Sequence, residues 1–126
     1  MSPVRVVLAN ASQELPKSVL TATRRELPNF ATVHAPAEIR EMVPRLRAQL
    51  AVVDLEMITY QELTELCREF PATAFVCIHR LADDAMWAQS LAAGAVDCCS
   101  ATDLPWILHN AECYVAIKKT EATSAA

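Results

Sequence analysis

Residues with reactive side chains follow two of the most apolar runs in this sequence. Asp54 and Glu56 come after the run 50–53, and His79 comes after the run 74–78. An aspartate can accept a phosphoryl group, carboxylates can hold Mg²⁺, and imidazole can carry a proton. If both runs are strands of a parallel sheet, these side chains lie at its carboxyl edge, where ligands bind in open α/β sheets.

Cysteine supplies the second set of reactive side chains. The five thiols are Cys67, Cys77, Cys98, Cys99 and Cys113. No Cys-x-x-Cys pair occurs, and the adjacent Cys98 and Cys99 would point to opposite faces of a strand. We therefore expect reduced thiols buried in the core, and we keep a thiol-based sensor using Cys98 or Cys99 as an alternative.

The composition sets the size of the core and excludes two kinds of nucleotide site. The 126 residues suffice for one domain, and 53% of them are hydrophobic. Gly94 is the single glycine. Walker and Rossmann loops need several glycines, because their backbone must approach phosphate without a Cβ in the way. Both kinds of loop are therefore excluded.

The charge balance argues against nucleic acid as a direct partner. Lys and Arg total 11 and Asp and Glu total 15, which gives a net charge of −4 at pH 7. Affinity for phosphate backbones needs clustered Lys and Arg, and no such cluster is present. The chain also lacks both the run of about 18 apolar residues that a membrane span needs and the apolar core of a signal peptide. We expect a cytoplasmic protein that does not enter a membrane.

Short apolar runs alternate with amphipathic segments along the chain. Strands are predicted at 4–9, 30–35, 50–54, 74–78 and 95–99, and helices at 12–27, 37–46, 61–70, 83–93 and from 103 to about 117. Strict alternation favours right-handed crossovers with helices on both faces of the sheet. The predicted architecture is α/β: a flavodoxin-like, doubly wound, five-stranded parallel sheet in the order 2-1-3-4-5, with five helices. This domain spans 1–119, and 120–126 is expected to be a flexible tail or linker.

Particular residues mark the predicted helix ends. Asp83 suits the start of the fourth helix, and Gly94 suits its end. Asp103 is predicted to cap the last helix. Pro44 falls inside the second helix and is expected to kink or shorten it.

Three stretches of the sequence carry a resemblance to a known family. They are VRVVLANA at 4–11, LAVVDLEM at 50–57 and DDAMWAQSLAAGA at 83–95. These resemble the first strand, the phosphoacceptor strand and the fourth helix of the receiver domain of bacterial two-component response regulators. The resemblance extends from about 4 to 118 and implies a CheY-like fold.

The resemblance also implies which positions would carry phosphorylation chemistry. Asp54 stands at the position of the phosphoacceptor. At the other positions this chain has a different residue type from the family: Asn10 and Ala11 in place of the two acids that hold Mg²⁺, His79 in place of a Thr or Ser, Cys98 in place of the switching aromatic, and Ala101 in place of a Lys. Asp54 alone keeps the residue type of the family. Glu56 is close enough in sequence to supply a second carboxylate, yet Mg²⁺ binding is not expected. The chain therefore resembles a pseudo-receiver, in which most phosphorylation-site residues are replaced.

The resemblance and the replacements together indicate an atypical receiver domain. We predict a phosphorylation-independent protein-interaction module in signal transduction and transcriptional regulation, with a sensor kinase or an output domain as partner. Asp54 would then form a local hydrogen bond, for example to His79, or be solvated. The alternative is a phosphorelay receiver phosphorylated on Asp54 in a rebuilt pocket. No enzymatic activity is expected, because Asp54, His79 and Ser100 lack the glycine-containing elbow of a hydrolase.

Aromatic side chains fall on or near the last two predicted helices. They are Trp87, Trp106 and Tyr114. In receivers, the face formed by the fourth helix, the fifth strand and the fifth helix commonly mediates dimerisation, and large aromatics are frequent interface hot spots. We predict a homodimer through this face, with core packing as the alternative role of the three rings.

Overall fold

Parallel strands form the centre of the protein. The computed structural model describes residues 4–10, 21, 23–25 and 27–125, with side chains described as far as 121. The strands are β1 (Val6–Ala9), β2 (Phe30–Val33), β3 (Leu50–Asp54), β4 (Ala74–His79) and β5 (Asp97–Ser100). They pair in parallel in the order β2-β1-β3-β4-β5, which confirms the predicted doubly wound sheet.

Helices connect these strands. They are α1 (Pro36–Leu46), α2 (Tyr60–Glu69), α3 (Asp84–Ala93), α4 (Leu104–His109) and α5 (Ala111–Ala125), with a 3₁₀ turn at Ala101–Asp103. The predicted second, third and fourth helices correspond to α1, α2 and α3. Of the predicted first helix, residues 21 and 23–25 are helical, and 12–20, 22 and 26 lie outside the described residues. In the described part of the chain, no helix is both long enough and apolar enough to cross a bilayer.

Two hydrophobic clusters lie on opposite faces of the sheet. Side chains alternate between the faces, so that Val53 packs with residues of α1, α2 and α3 while the preceding Val52 packs with residues of α4 and α5. Strands β1 and β3 are buried along their whole length. This burial explains their continuous apolar sequence, since parallel strands covered on both faces have no solvated side.

Side-chain caps set the start of the two helices that follow the carboxyl edge. Thr59 Oγ1 accepts from the Glu62 N–H at 3.1 Å, and Glu62 Oε1 accepts from the Thr59 N–H at 3.0 Å, which is a capping box at α2. Asp83 Oδ1 accepts from the Met86 N–H at 2.8 Å and caps α3, as predicted. The loops before α2 and α3 therefore have defined ends.

Gly94 ends α3, as predicted, and its position tolerates no side chain. Its φ is 116°, a conformation that L side chains rarely adopt. A Cβ on Gly94 would also lie 2.9 Å from the Cβ of Cys67 on α2. The single glycine of the chain is thus required both by the turn and by the close approach of α2.

The prediction of the last helix is wrong in two respects. It is two helices, because the chain breaks at Asn110, whose side-chain amide donates to the Trp106 carbonyl at 2.8 Å. A side chain that bonds to the backbone in this way competes with the helical pattern. Asp103 precedes α4 but makes no side-chain cap, and the 3₁₀ turn before it is capped by Ser100 instead.

Two segment ends also differ from expectation. Pro44 does not shorten α1, which reaches Leu46 and ends where Arg47 adopts a φ of 54°. Pro44 is accommodated in the last turn of α1, close to the end of the helix. Helix α5 continues to Ala125, so residues 120–125, predicted as a tail, are helical.

Candidate functional site at the carboxyl edge of the sheet

The carboxyl edge brings together residues from distant parts of the chain. Asn10 follows β1, and its N–H donates to the Val33 carbonyl at 3.1 Å. Asp54 ends β3, and His79 ends β4. The register places His79 opposite Ser100 on β5. Ala11, which the resemblance places beside Asn10, lies outside the described residues.

Asp54 is a buried carboxylate with a backbone partner. Its relative exposure is 6%, which contradicts the expectation of a solvated strand end. Its Oδ1 accepts from the Glu56 N–H at 2.9 Å. This local hydrogen bond closes an Asx-type turn and determines where the chain leaves β3.

Glu56 faces the segment that follows β4. Its Oε1 accepts from Arg80 Nε at 2.7 Å and lies 3.9 Å from His79 Nε2. The Glu56 side chain is 29% exposed and the His79 side chain 14% exposed, whereas Arg80 is largely in solvent. The place of Arg80 directly after His79 at a strand end is the sequence signal that puts it at this edge, whereas its pairing with Glu56 has no sequence signal.

The His79 ring has a defined orientation. Its Nδ1 lies 2.9 Å from the Leu81 N–H and accepts from it. We assign the proton of the neutral ring to Nε2 on the basis of this contact. The Nε2–H then faces the Glu56 carboxylate.

The end of β5 carries hydroxyl groups and no cation. Ser100 Oγ and Thr102 Oγ1 are 2.9 Å apart, and the Thr102 N–H donates to Ser100 Oγ. Ala101, at the position of the family's Lys, begins the 3₁₀ turn. A methyl side chain cannot contribute charge to the site.

The site does not fit the Mg²⁺ ion that the resemblance would imply. Mg²⁺ prefers several oxygen ligands in near-octahedral geometry. The carboxylate of Glu56 is engaged by Arg80, and Asn10 replaces an acid with an amide. Within the described ranges, no group of three or more His, Cys, Asp or Glu side chains is arranged to hold a metal ion.

The thiols of β4 and β5 are held as poor nucleophiles. Cys77 and Cys98 are register partners on β4 and β5, and both are buried. Burial raises the pKa of Cys77 to about 12 and also raises the pKa of Cys98. Burial, then the charge of Asp97, raises the pKa of Cys99 to about 12. The thiolate is the reactive form, so these shifts disfavour a thiol sensor.

The three aromatic residues divide into two groups. Trp87 and Trp106 are 51% and 59% exposed. Tyr114 packs in the core, the alternative role predicted for it, because it is 4% exposed and its hydroxyl donates to Asp97 Oδ2 at 3.1 Å. Trp106 packs edge-on against the Tyr114 ring, with 6.4 Å between centroids. Asp97 was missed in the sequence because nothing in its local pattern indicates a partner on α5.

Sequence comparison and structural comparison differ in what they detect. No protein-family model matches the chain, and no curated protein sequence matches it. Solved structures do match. The receiver domain of a putative LuxO repressor protein from Vibrio parahaemolyticus superposes with a TM-score of 0.72 at 14% identity, over 99% of each chain.

Two further structures give the same result. The receiver domain of a putative response regulator NarL from Mycobacterium tuberculosis has a TM-score of 0.71 at 18% identity, over 90% of this chain and 98% of that one. The response regulator RcsB of Salmonella typhimurium has a TM-score of 0.74 at 15% identity, over 95% of this chain and 62% of that one. This chain has the fold of response-regulator receiver domains.

Proposed function

We propose that the chain is an atypical receiver domain, a pseudo-receiver, that acts as a protein-interaction module in signal transduction and transcriptional regulation without phosphorylation of Asp54. The observation that carries the proposal is the contact of Glu56 Oε1 with Arg80 Nε at 2.7 Å. Glu56, the carboxylate of the site other than Asp54, is therefore already paired with a cation of this chain, Arg80. Ala101 stands at the position where receiver domains have a Lys, so the site also lacks that cation for binding a phosphoryl group.

Electrostatics supports this reading of the site. Phosphoryl transfer depends on cations placed at the oxygens where negative charge develops. Arg80 is the cation found at the site, and its guanidinium is paired with Glu56 and largely solvated. Loss of one such positioned donor typically slows catalysis by about 10²–10³. Because both the lysine and the metal acids are replaced, we expect very slow phosphorylation.

The remaining features of the proposal follow from this assignment. The domain works without Mg²⁺ or another cofactor, is not an enzyme and does not contact nucleic acid directly. Its partner is a protein, either a sensor kinase or an output domain. A cytoplasmic location agrees with five free cysteines among the described residues.

We include a homodimer in the proposal. Trp87 on α3 and Trp106 on α4 keep half or more of their surface in solvent. Exposed aromatic side chains are the residues that most often contribute large binding energies at interfaces. The dimer would use the face formed by α3, β5 and the last two helices.

The experiment is incubation with a small acyl phosphate and Mg²⁺, followed by intact mass measurement. We expect no adduct on the wild type. The Asp54→Asn variant is the matched control, and an active receiver domain shows that the donor works. A stoichiometric mass increase of about 80 Da that Asp54→Asn abolishes would overturn the proposal.

One observation favours the alternative function, a phosphorelay receiver. Asp54 is retained at the end of β3, and the guanidinium of Arg80 contacts Glu56, which lies two residues after Asp54 in the sequence. If Glu56 released Arg80, that cation could replace the missing lysine. The mass measurement distinguishes the two functions, because only the phosphorelay receiver gains the adduct.

A further inference from the structure

Two loops at the carboxyl edge are joined by side chains. The loop between β3 and α2 carries Glu56, and the segment between β4 and α3 carries Arg80. Arg80 Nε donates to Glu56 Oε1 at 2.7 Å, and His79 Nε2 lies 3.9 Å from the same oxygen. The Glu56 carboxylate therefore bonds to Arg80 and lies close to His79, two neighbouring residues of the other segment. A sequence separation of 24 residues makes this a tertiary contact.

The second loop is braced internally from His79 to α3. The Leu81 N–H donates to His79 Nδ1 at 2.9 Å, and the Ala82 N–H donates to the His79 carbonyl at 3.3 Å. Asp83 then accepts from the Met86 N–H to begin α3. Hydrogen bonds therefore order both parts of this segment, the turn at 79–82 and the first turn of α3 that follows it directly in sequence.

This braced segment presents apolar side chains to solvent. Leu81 is 69% exposed, and Trp87, on the first turns of α3, is 51% exposed. Large exposed apolar residues of this kind are typical of interaction surfaces. Their position depends on the segment that Glu56 holds.

We propose that the Glu56 carboxylate holds the segment from His79 to α3 in one position. Leu81 and Trp87 then stay exposed at fixed positions on the surface without any phosphoryl group on Asp54. The proposal deepens the proposed function and rests on it for its regulatory meaning. The ion pair itself is the contact of Glu56 with Arg80, and the His79 ring lies beside the same carboxylate. We call these three residues the edge clamp.

The exposure of Arg80 determines the size of the expected effect. Its side chain is 74% exposed, so solvent and salt screen its attraction to Glu56. Exposed pairs typically change a local equilibrium by no more than about fivefold. The clamp therefore biases the position of the segment, and salt should weaken it.

The experiment measures amide hydrogen exchange in the wild type and in the Glu56→Gln and Arg80→Ala variants. The informative amides are those of Leu81, Ala82, Met86 and Trp87, all hydrogen-bonded in the clamped segment. We expect exchange about three- to fivefold faster in each variant. Glu65→Gln is the matched control, because Glu65 pairs with Arg40 on the surface of the α1–α2 region.

A measurement on the wild type keeps the proposal testable if a variant fails to fold. At about 1 M salt, where the Debye length is about 3 Å, the same four amides should exchange faster. A helical amide of α2 serves as the internal reference. If neither the variants nor salt change the exchange of the clamped amides by more than twofold, the edge clamp is overturned.

The two proposals fail in different ways. The mass measurement with acyl phosphate on the wild type overturns phosphorylation independence if an adduct forms on Asp54. It does not bear on hydrogen exchange in unphosphorylated protein. Exchange that is unchanged both in the variants and at high salt overturns the clamp and leaves the mass result as it stands.

Discussion

Tyr114 on α5 and Asp97 on β5 join the last helix to the edge strand through a partly buried hydrogen bond. The Tyr114 hydroxyl donates to Asp97 Oδ2 at 3.1 Å, and Cys99 Sγ lies 3.4 Å from the same oxygen. Burial, followed by the nearby Cys99 and Asp97, raises the pKa of Tyr114. The phenol therefore remains a donor throughout the neutral range, and α5 is tied to β5 by more than apolar packing.

Tyr114→Phe should lower the free energy of unfolding by about 1–2 kcal/mol, because the partly buried Asp97 carboxylate loses one of its hydrogen-bond donors. Urea unfolding at neutral pH measures the change. Tyr60→Phe is the matched control, since the Tyr60 hydroxyl has no hydrogen bond in the described part of the protein. A Tyr114→Phe variant as stable as Tyr60→Phe would contradict the role of this hydrogen bond.

Gly94→Ala should destabilise the protein by about 1–3 kcal/mol. The φ of 116° strains any L side chain, and the new Cβ would lie 2.9 Å from Cys67 Cβ. Thermal unfolding measures the loss. Ala92→Ser, at an exposed position on the same helix, is the control and should change stability by less than about 0.5 kcal/mol. Equal stability of the two variants would show that α2 yields to the added atom.

Alkaline pH should destabilise the fold. The Cys77 thiol is protonated in both the folded and the unfolded protein below about pH 9. In the folded protein, burial raises the pKa of this thiol to about 12. Between these values the unfolded state loses the proton more readily, so stability falls as pH rises. Urea unfolding at about pH 8 and about pH 10 measures the slope. Cys77→Ala should flatten this slope and Cys113→Ala should not, and equal slopes in the two variants would refute the assignment to Cys77.

Thiol labelling separates the thiol-sensor hypothesis from buried structural cysteines. Cys113 is exposed on α5, whereas Cys98 is 9% exposed. With iodoacetamide at neutral pH, we expect Cys113 to react first and Cys98 and Cys99 more slowly than in unfolded protein. Peptide mass mapping over time measures each rate. Faster labelling of Cys98 or Cys99 than in the unfolded control would support the sensor.

The proposed homodimer predicts a shift of oligomeric state in Trp87→Ala and Trp106→Ala. Both side chains are half or more exposed, so truncation should weaken self-association more than folding. Sedimentation velocity over a range of concentrations measures this. Arg40→Ala is the control, since Arg40 on α1 pairs with Glu65 and Glu69 on α2, two helices that are not part of the proposed interface. A wild type that remains monomeric at every concentration would exclude the dimer.

Most of the fold could be predicted from local patterns. The buried central strands are apolar except at their carboxyl ends, and Asp83 and Gly94 mark the two ends of α3 through the chemistry of helix caps. The break at Asn110 was not predicted, because asparagine is tolerated in helices and its bond to the Trp106 carbonyl depends on the local backbone path. The apolar spacing continued across that position and concealed the break.

The candidate site was predictable only in part. Because parallel strands end at one edge, the sequence alone placed Asp54 and His79 together at that edge, and it showed that Asp54 lacks the family's neighbouring residues. Tertiary structure decided which groups pair. Glu56 contacts Arg80 and His79, and Tyr114 is buried against Asp97, because side-chain pairing across loops and layers depends on distances that no local periodicity encodes.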